Sequence, residues 1–123
     1  MSRIERFEDI KSWQLAKALV KNIYELTGQA SFSKDYSLRD QIQRAAVSIM
    51  SNIAEGFERG SKKDFVNFLY IARGSCAEVR SLLYVAFELG YINEDKFKEA
   101  LQQTEEIAKA IFGFIRYLKS NTL

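Results

Sequence analysis

Apolar residues recur along this chain at alternating spacings of three and four, over four long stretches divided by short segments that carry glycine, serine or asparagine. That alternation places side chains on one stripe of an α-helix. The third stretch is the most regular, with Phe65, Leu69, Ala72, Cys76, Val79, Leu83 and Ala86 running up to Gly90. The fourth repeats it with Phe97, Leu101, Thr104, Ala108, Ile111, Ile115 and Leu118, and the second carries Ile42, Ala46, Ile49, Ile53 and Gly56. In the first, Trp13, Ala16, Val20, Ile23 and Thr27 share a stripe. The spacing predicts helices over about 8–27, 38–59, 62–89 and 94–119.

The punctuation between the stretches agrees. Ser37 with Asp40, and Ser61 with Asp64, have the form of a capping hydroxyl followed three positions on by an acid, and Asn93 can cap the last helix. Gly28, Gly60 and Gly90 stand where helices should stop. Almost no chain joins the second helix to the third, so the two must be antiparallel neighbours. The one long connection, 28–36, carries Phe32 and Tyr36, both expected to fold back onto the bundle end. Residues 2–7 read as a short lead-in. An average spacing near 3.5 residues packs helices about 20° from parallel. The expectation is an all-α, antiparallel up-and-down four-helix bundle forming a single domain over 1–123, a length at which one core can bury most apolar groups.

A four-helix monomer needs one apolar stripe per helix, and this chain has more. The first helix also carries Leu15, Leu19 and Leu26, and the fourth carries Ile107, Phe114 and Tyr117. The third has a whole second track of Val66, Tyr70, Arg73, Ala77, Arg80 and Tyr84. Contiguous exposed apolar surface usually marks an interface. Leu15, Leu19, Leu26, Val66, Tyr70 and Tyr84 are therefore candidate contacts in a homo-oligomer.

Composition narrows the chemistry. The chain has no histidine, which removes the commonest general base and the commonest transition-metal ligand. Cys76 is the only cysteine, sits on a core stripe and cannot form an intrachain disulfide. No apolar run reaches the roughly 18 residues of a membrane span, and the first residues lack a signal peptide's apolar segment. A cytoplasmic protein with no catalytic, cofactor or metal site is expected. The net charge of +2 is too small for bulk electrostatics to attract nucleic acid, so any basic patch must be local.

Two polar constellations remain. Ser48, Asn52 and Glu55 lie on a polar track of the second helix, and Ser75 and Glu78 lie near the core stripe of the third. Together they can form a buried hydrogen-bonded network that fixes register. Gly74 and Ser75, small residues in mid-helix, would admit a close helix neighbour. Arg59, Lys62 and Lys63 gather cations at a helix start, while Arg73 and Arg80 stand between Tyr70 and Tyr84. Guanidinium groups and rings suit phosphates and bases, and they equally suit subunit contacts.

The run Ser48 Ile49 Met50 Ser51 Asn52 Ile53 Ala54 Glu55 Gly56, then Gly74 Ser75 Cys76 Ala77 Glu78 and Leu89 Gly90 Tyr91 Ile92, with Phe7 and Trp13, resembles the four-helix bundle family of ribosomal RNA intervening-sequence proteins. The resemblance spans nearly the whole chain. It implies a small bacterial protein, in some species encoded inside an intervening sequence of the large ribosomal RNA gene, that assembles as a homopentamer and whose molecular role is mostly unassigned. The accessory protein of diversity-generating retroelements is similar in fold, a basic pentameric barrel that binds nucleic acid and partners a reverse transcriptase. The expected function is a non-enzymatic homo-oligomeric scaffold that binds RNA or DNA through a basic surface. The alternative is a protein–protein interaction module without nucleic-acid binding.

Overall fold

The computed structural model describes residues 4–120, so residues 2 and 3 of the lead-in and the ends of the 1–123 domain lie outside the described residues. Four helices follow one another: α1 (Lys11–Thr27), α2 (Tyr36–Glu58), α3 (Lys62–Glu88) and α4 (Glu94–Ser120). Each packs on the next and α4 closes on α1, with α2 and α3 in the most extensive contact. This is the all-α up-and-down bundle that the periodicity predicts.

The core stripe of α3 consists of the seven positions expected, and all five expected on α2 are buried, joined by Leu38 and Ala45. On α1 the buried stripe is Ser12, Ala16, Leu19, Ile23, Leu26 and Thr27. Leu19 is 0% and Leu26 6% exposed, so these two candidate interface residues belong to the subunit's own core. The expected stripe and the observed one share Ala16, Ile23 and Thr27. Ser12 and Leu19 are buried one position before the expected Trp13 and Val20, about 100° of rotation, and Leu26 joins Thr27 inside, so the helix turns its leucines inward. Trp13, Leu15 and Val20 pack at the margins. On α4, Ile107 is likewise core, while Leu101, Ala108 and Leu118 flank it.

Helix starts shift for local reasons. A 3-10 turn at Phe7–Asp9 and extended, fully buried Ile10 precede α1, so that helix begins at Lys11. Asp35, not Ser37, caps α2, its Oδ1 accepting the Leu38 N–H at 3.1 Å, while Asp40 pairs with Arg39 at 3.0 Å. The second oxygen of Asp35 accepts the Tyr91 hydroxyl at 2.9 Å, which raises the tyrosine's pKa above its ordinary value because the bond stabilises the protonated phenol. Tyr91 also stacks on buried Phe32, which folds back as expected. Tyr36 does not: it is 65% exposed, with the Arg39 guanidinium 4.8 Å from its ring centroid. Ser61 and Asn93 cap α3 and α4 through the N–H groups of Asp64 and Lys96.

Two glycines separate close approach from open space. A Cβ on Gly56 would stand 2.5 Å from Cβ of Phe68 on α3, a contact only glycine permits. A Cβ on Gly74 would meet nothing within 4 Å, so within the subunit Gly74 admits no helix neighbour. Gly56→Ala is expected to lower stability by about 1–3 kcal/mol through overpacking. Gly74→Ala should raise it by about 0.5–1 kcal/mol through helix propensity. Urea unfolding of the two variants checks the pair, and equal midpoints would contradict the packing.

Candidate nucleic-acid interface

With one stripe of α3 in the core, its two flanks face different neighbours. Toward α2, the Ser48 and Ser75 hydroxyls lie 2.9 Å apart, and Asn52 Nδ2 donates to the Ser48 carbonyl at 2.8 Å and to its hydroxyl at 2.9 Å. Glu55 and Glu78 do not join. Glu55 accepts from Arg59 at 2.7 Å, and Glu78 lines an open groove of about 540 Å³ with Ser37, Asp40, Gln41, Arg44, Ala45 and Ser48. Both carboxylates are exposed and keep their hydration, which a buried network would remove. The network thus comprises three residues of the expected five.

Toward α4 the flank is basic and aromatic. Tyr70 and Tyr84 are 44% and 50% exposed, Arg73, Ala77 and Arg80 are exposed, and Val66 is half-buried. From α4 come Phe112, 41% exposed, with Arg116 and Lys119. The Arg73 guanidinium lies 4.8 Å from the Phe112 ring centroid and that of Arg116 lies 5.8 Å from it. Lys119 Nζ is 5.7 Å from the Tyr70 centroid and 3.4 Å from its hydroxyl. Lys62, Lys63, Val66, Asn67, Tyr70 and Lys119 line a groove of about 450 Å³.

The structure divides the five expected cations. Lys62, Lys63 and Arg73 gather on this face. Arg80 marks its far margin, where Glu105 of α4 accepts from it at 3.4 Å. Arg59 stands on the opposite flank, paired with Glu55 and 4.9 Å from the Phe68 ring centroid. Tyr84 packs edge-on to Phe97, within an aromatic cluster that includes Phe87. Sequence reasoning on α3 alone missed Phe112, Arg116 and Lys119. Their four-then-three spacing on α4 is the signal, since antiparallel packing sets 119 beside 70, 112 beside 73 and 105 beside 80.

Cys76 is 2% exposed, and its thiol donates to the Thr104 carbonyl at 3.1 Å. Burial pushes its pKa up to about 11, so it is a protonated core residue and not a poised nucleophile. Among the described residues no three His, Cys, Asp or Glu side chains are grouped so that they could hold a metal ion.

A model of the family described as "23S rRNA-intervening sequence protein" matches residues 8–113. Among solved structures, a protein of unknown function from the S23 ribosomal protein family of Bacteroides thetaiotaomicron is similar, with a TM-score of 0.79 and 24% identity. The match covers 85% of this chain and 95% of that one and shows a shared fold. No curated protein sequence matches the chain.

Two outcomes test the α3 assignments. Ser48→Ala and Ser75→Ala, measured singly and together by urea unfolding, should show a coupling of about 0.5–1.5 kcal/mol, and additive effects would reject the bond between them. Native protein at pH 8 should label with a thiol reagent far more slowly than urea-unfolded protein. Because the folded pKa is raised, the stability contributed by the protonated thiol is complete below about pH 9, the ordinary value, and is lost as pH rises through about 11. Rapid native labelling would contradict the burial.

Proposed function

The chain belongs to the family of 23S rRNA-intervening sequence proteins, and we propose that it is a non-enzymatic, homo-oligomeric helical scaffold that binds RNA or DNA through the α3–α4 face. One observation carries this reading: Lys62, Lys63, Arg73, Arg116 and Lys119 converge around exposed Tyr70 and Phe112. A net charge of +2 would attract a polyanion only weakly if spread evenly, and its concentration on one face supplies a local field.

Self-association multiplies that field, because symmetry repeats the face and the copies act together on one strand. A pentamer is the form implied by the resemblance. With Leu19 and Leu26 committed to the core, the exposed apolar side chains available for subunit contact include Val47, Ile71, Val85 and Leu89. None of the described helices is long and apolar enough to cross a membrane. The cytoplasm is the working compartment of this proposal.

Binding of RNA and of DNA by the intact protein should fall steeply with salt, because each neutralised phosphate releases counterions. Lys62→Gln, Lys63→Gln and Lys119→Gln combined should flatten the log–log salt slope by about 2–3, at roughly 0.9 per phosphate contact, while Arg59→Gln changes it little. Fluorescence anisotropy against salt measures this, and sedimentation reports whether one closed oligomer persists. Absence of binding at low salt would assign the face to a protein partner instead.

A further inference from the structure

We infer that the α3–α4 face takes a single-stranded nucleic acid, its bases stacking on Phe112 and Tyr70 while Lys63, Arg73, Arg116 and Lys119 hold its phosphates. This rests on the nucleic-acid reading above and specifies the form of the ligand.

The first argument is steric. To read a duplex, a helix enters the major groove, which is about 12 Å wide. Here the basic side chains come from two helices packed side by side. Each is about 10 Å across with side chains, and their axes lie about 8–10 Å apart, so the pair is close to 20 Å broad. Neither α3 nor α4 can enter the groove alone, because α3 is flanked by α2 and α4, and α4 by α3 and α1. A flexible strand lying along the seam between α3 and α4 meets no such obstacle.

The second argument comes from the rings. Bases inside a duplex are already stacked on one another and offer no face to a protein side chain, whereas splayed bases of a single strand do. Tyr70 and Phe112 are both more than two-fifths exposed, on adjacent helices, each with a cation over or beside its ring. Guanidinium planes and aromatic rings extend a base stack, and the same cations neutralise the connecting phosphates. The groove beside Lys62, Lys63 and Lys119 continues the strip toward the start of α3. The Arg80–Glu105 pair ends it at the other side, where the Arg80 charge is already met. Between residues 62 and 80 the strip is about 27 Å long at 1.5 Å per residue, enough for a short run of nucleotides.

Stacking is indifferent to base identity, so the site should accept RNA and DNA strands alike. The test uses the intact protein at low salt with labelled 12-nucleotide oligo-uridine and oligo-thymidine, and with RNA and DNA duplexes of the same length. Both single strands should bind at least tenfold more tightly than either duplex. Phe112→Leu and Tyr70→Leu keep an apolar side chain at an exposed position. Each should weaken single-strand binding by between about fivefold and a hundredfold while leaving the salt slope unchanged, since a ring displaces no counterions. Phe112→Trp should restore or strengthen binding, and Arg73→Gln should lower the slope. Equal or tighter duplex binding, insensitive to Phe112→Leu, would overturn the single-strand assignment and leave the broader nucleic-acid function standing. No binding of any of the four probes would overturn both. Dissociation of the oligomer by Phe112→Leu would make this face a subunit contact and equally overturn the assignment.

Discussion

The burial of a single seven-residue stripe of α3 organises the rest of the molecule. From Phe65 to Ala86 these positions keep a period of about 3.5 residues over most of a 27-residue helix, so α3 presents one constant edge to the core along nearly its full length. Both flanks are then left for neighbours, and the two neighbours differ in kind. Toward α2 the approach is close, set by the missing side chain of Gly56 against Phe68 and by the Ser48–Ser75 contact further along. Toward α4 the side chains at the seam are long and charged, and the surface they form is open to water.

This asymmetry is the physical basis of the proposed function. Small residues let two helices meet directly, and hydrogen bonds between short polar groups pin their register at little entropic cost. On the α4 side long cations stand over exposed rings instead. Their methylene stems cover apolar surface and keep the charge in water. The ion pairs at this surface, such as Arg80 with Glu105, are half exposed and contribute little to stability. The value of such residues lies in what they can bind.

The opposite end of the bundle is held by different means. Asp35 caps α2 with one oxygen and accepts from Tyr91 with the other, joining the start of α2 to the connection between α3 and α4. Phe32 fills the space beneath, stacked on the Tyr91 ring. The longest connection, between α1 and α2, is thereby tied to the connection between α3 and α4, and the basic groove at the start of α3 lies at the other end of the helices, away from this anchor.

By itself the sequence determined the fold class, the four helices to within a few residues, and the core faces of α2 and α3, because hydrophobic periodicity is a local property that burial of one face rewards directly. It also determined the absence of histidine chemistry. The phase of α1 was decided only in the tertiary structure. Two stripes sharing Ala16, Ile23 and Thr27 were both present, and only packing between α2 and α4 selected the one containing Leu19 and Leu26. The cap at Asp35 followed the same rule: Ser37 offers equivalent local chemistry, and the distant hydroxyl of Tyr91 favours Asp35. The candidate site was half legible. Tyr70 and Arg73 lay on a visible track of α3, but Phe112, Arg116 and Lys119 complete the surface from another helix more than thirty positions away. Which cations stand together depends on the register between antiparallel helices, and no spacing within one helix encodes that register.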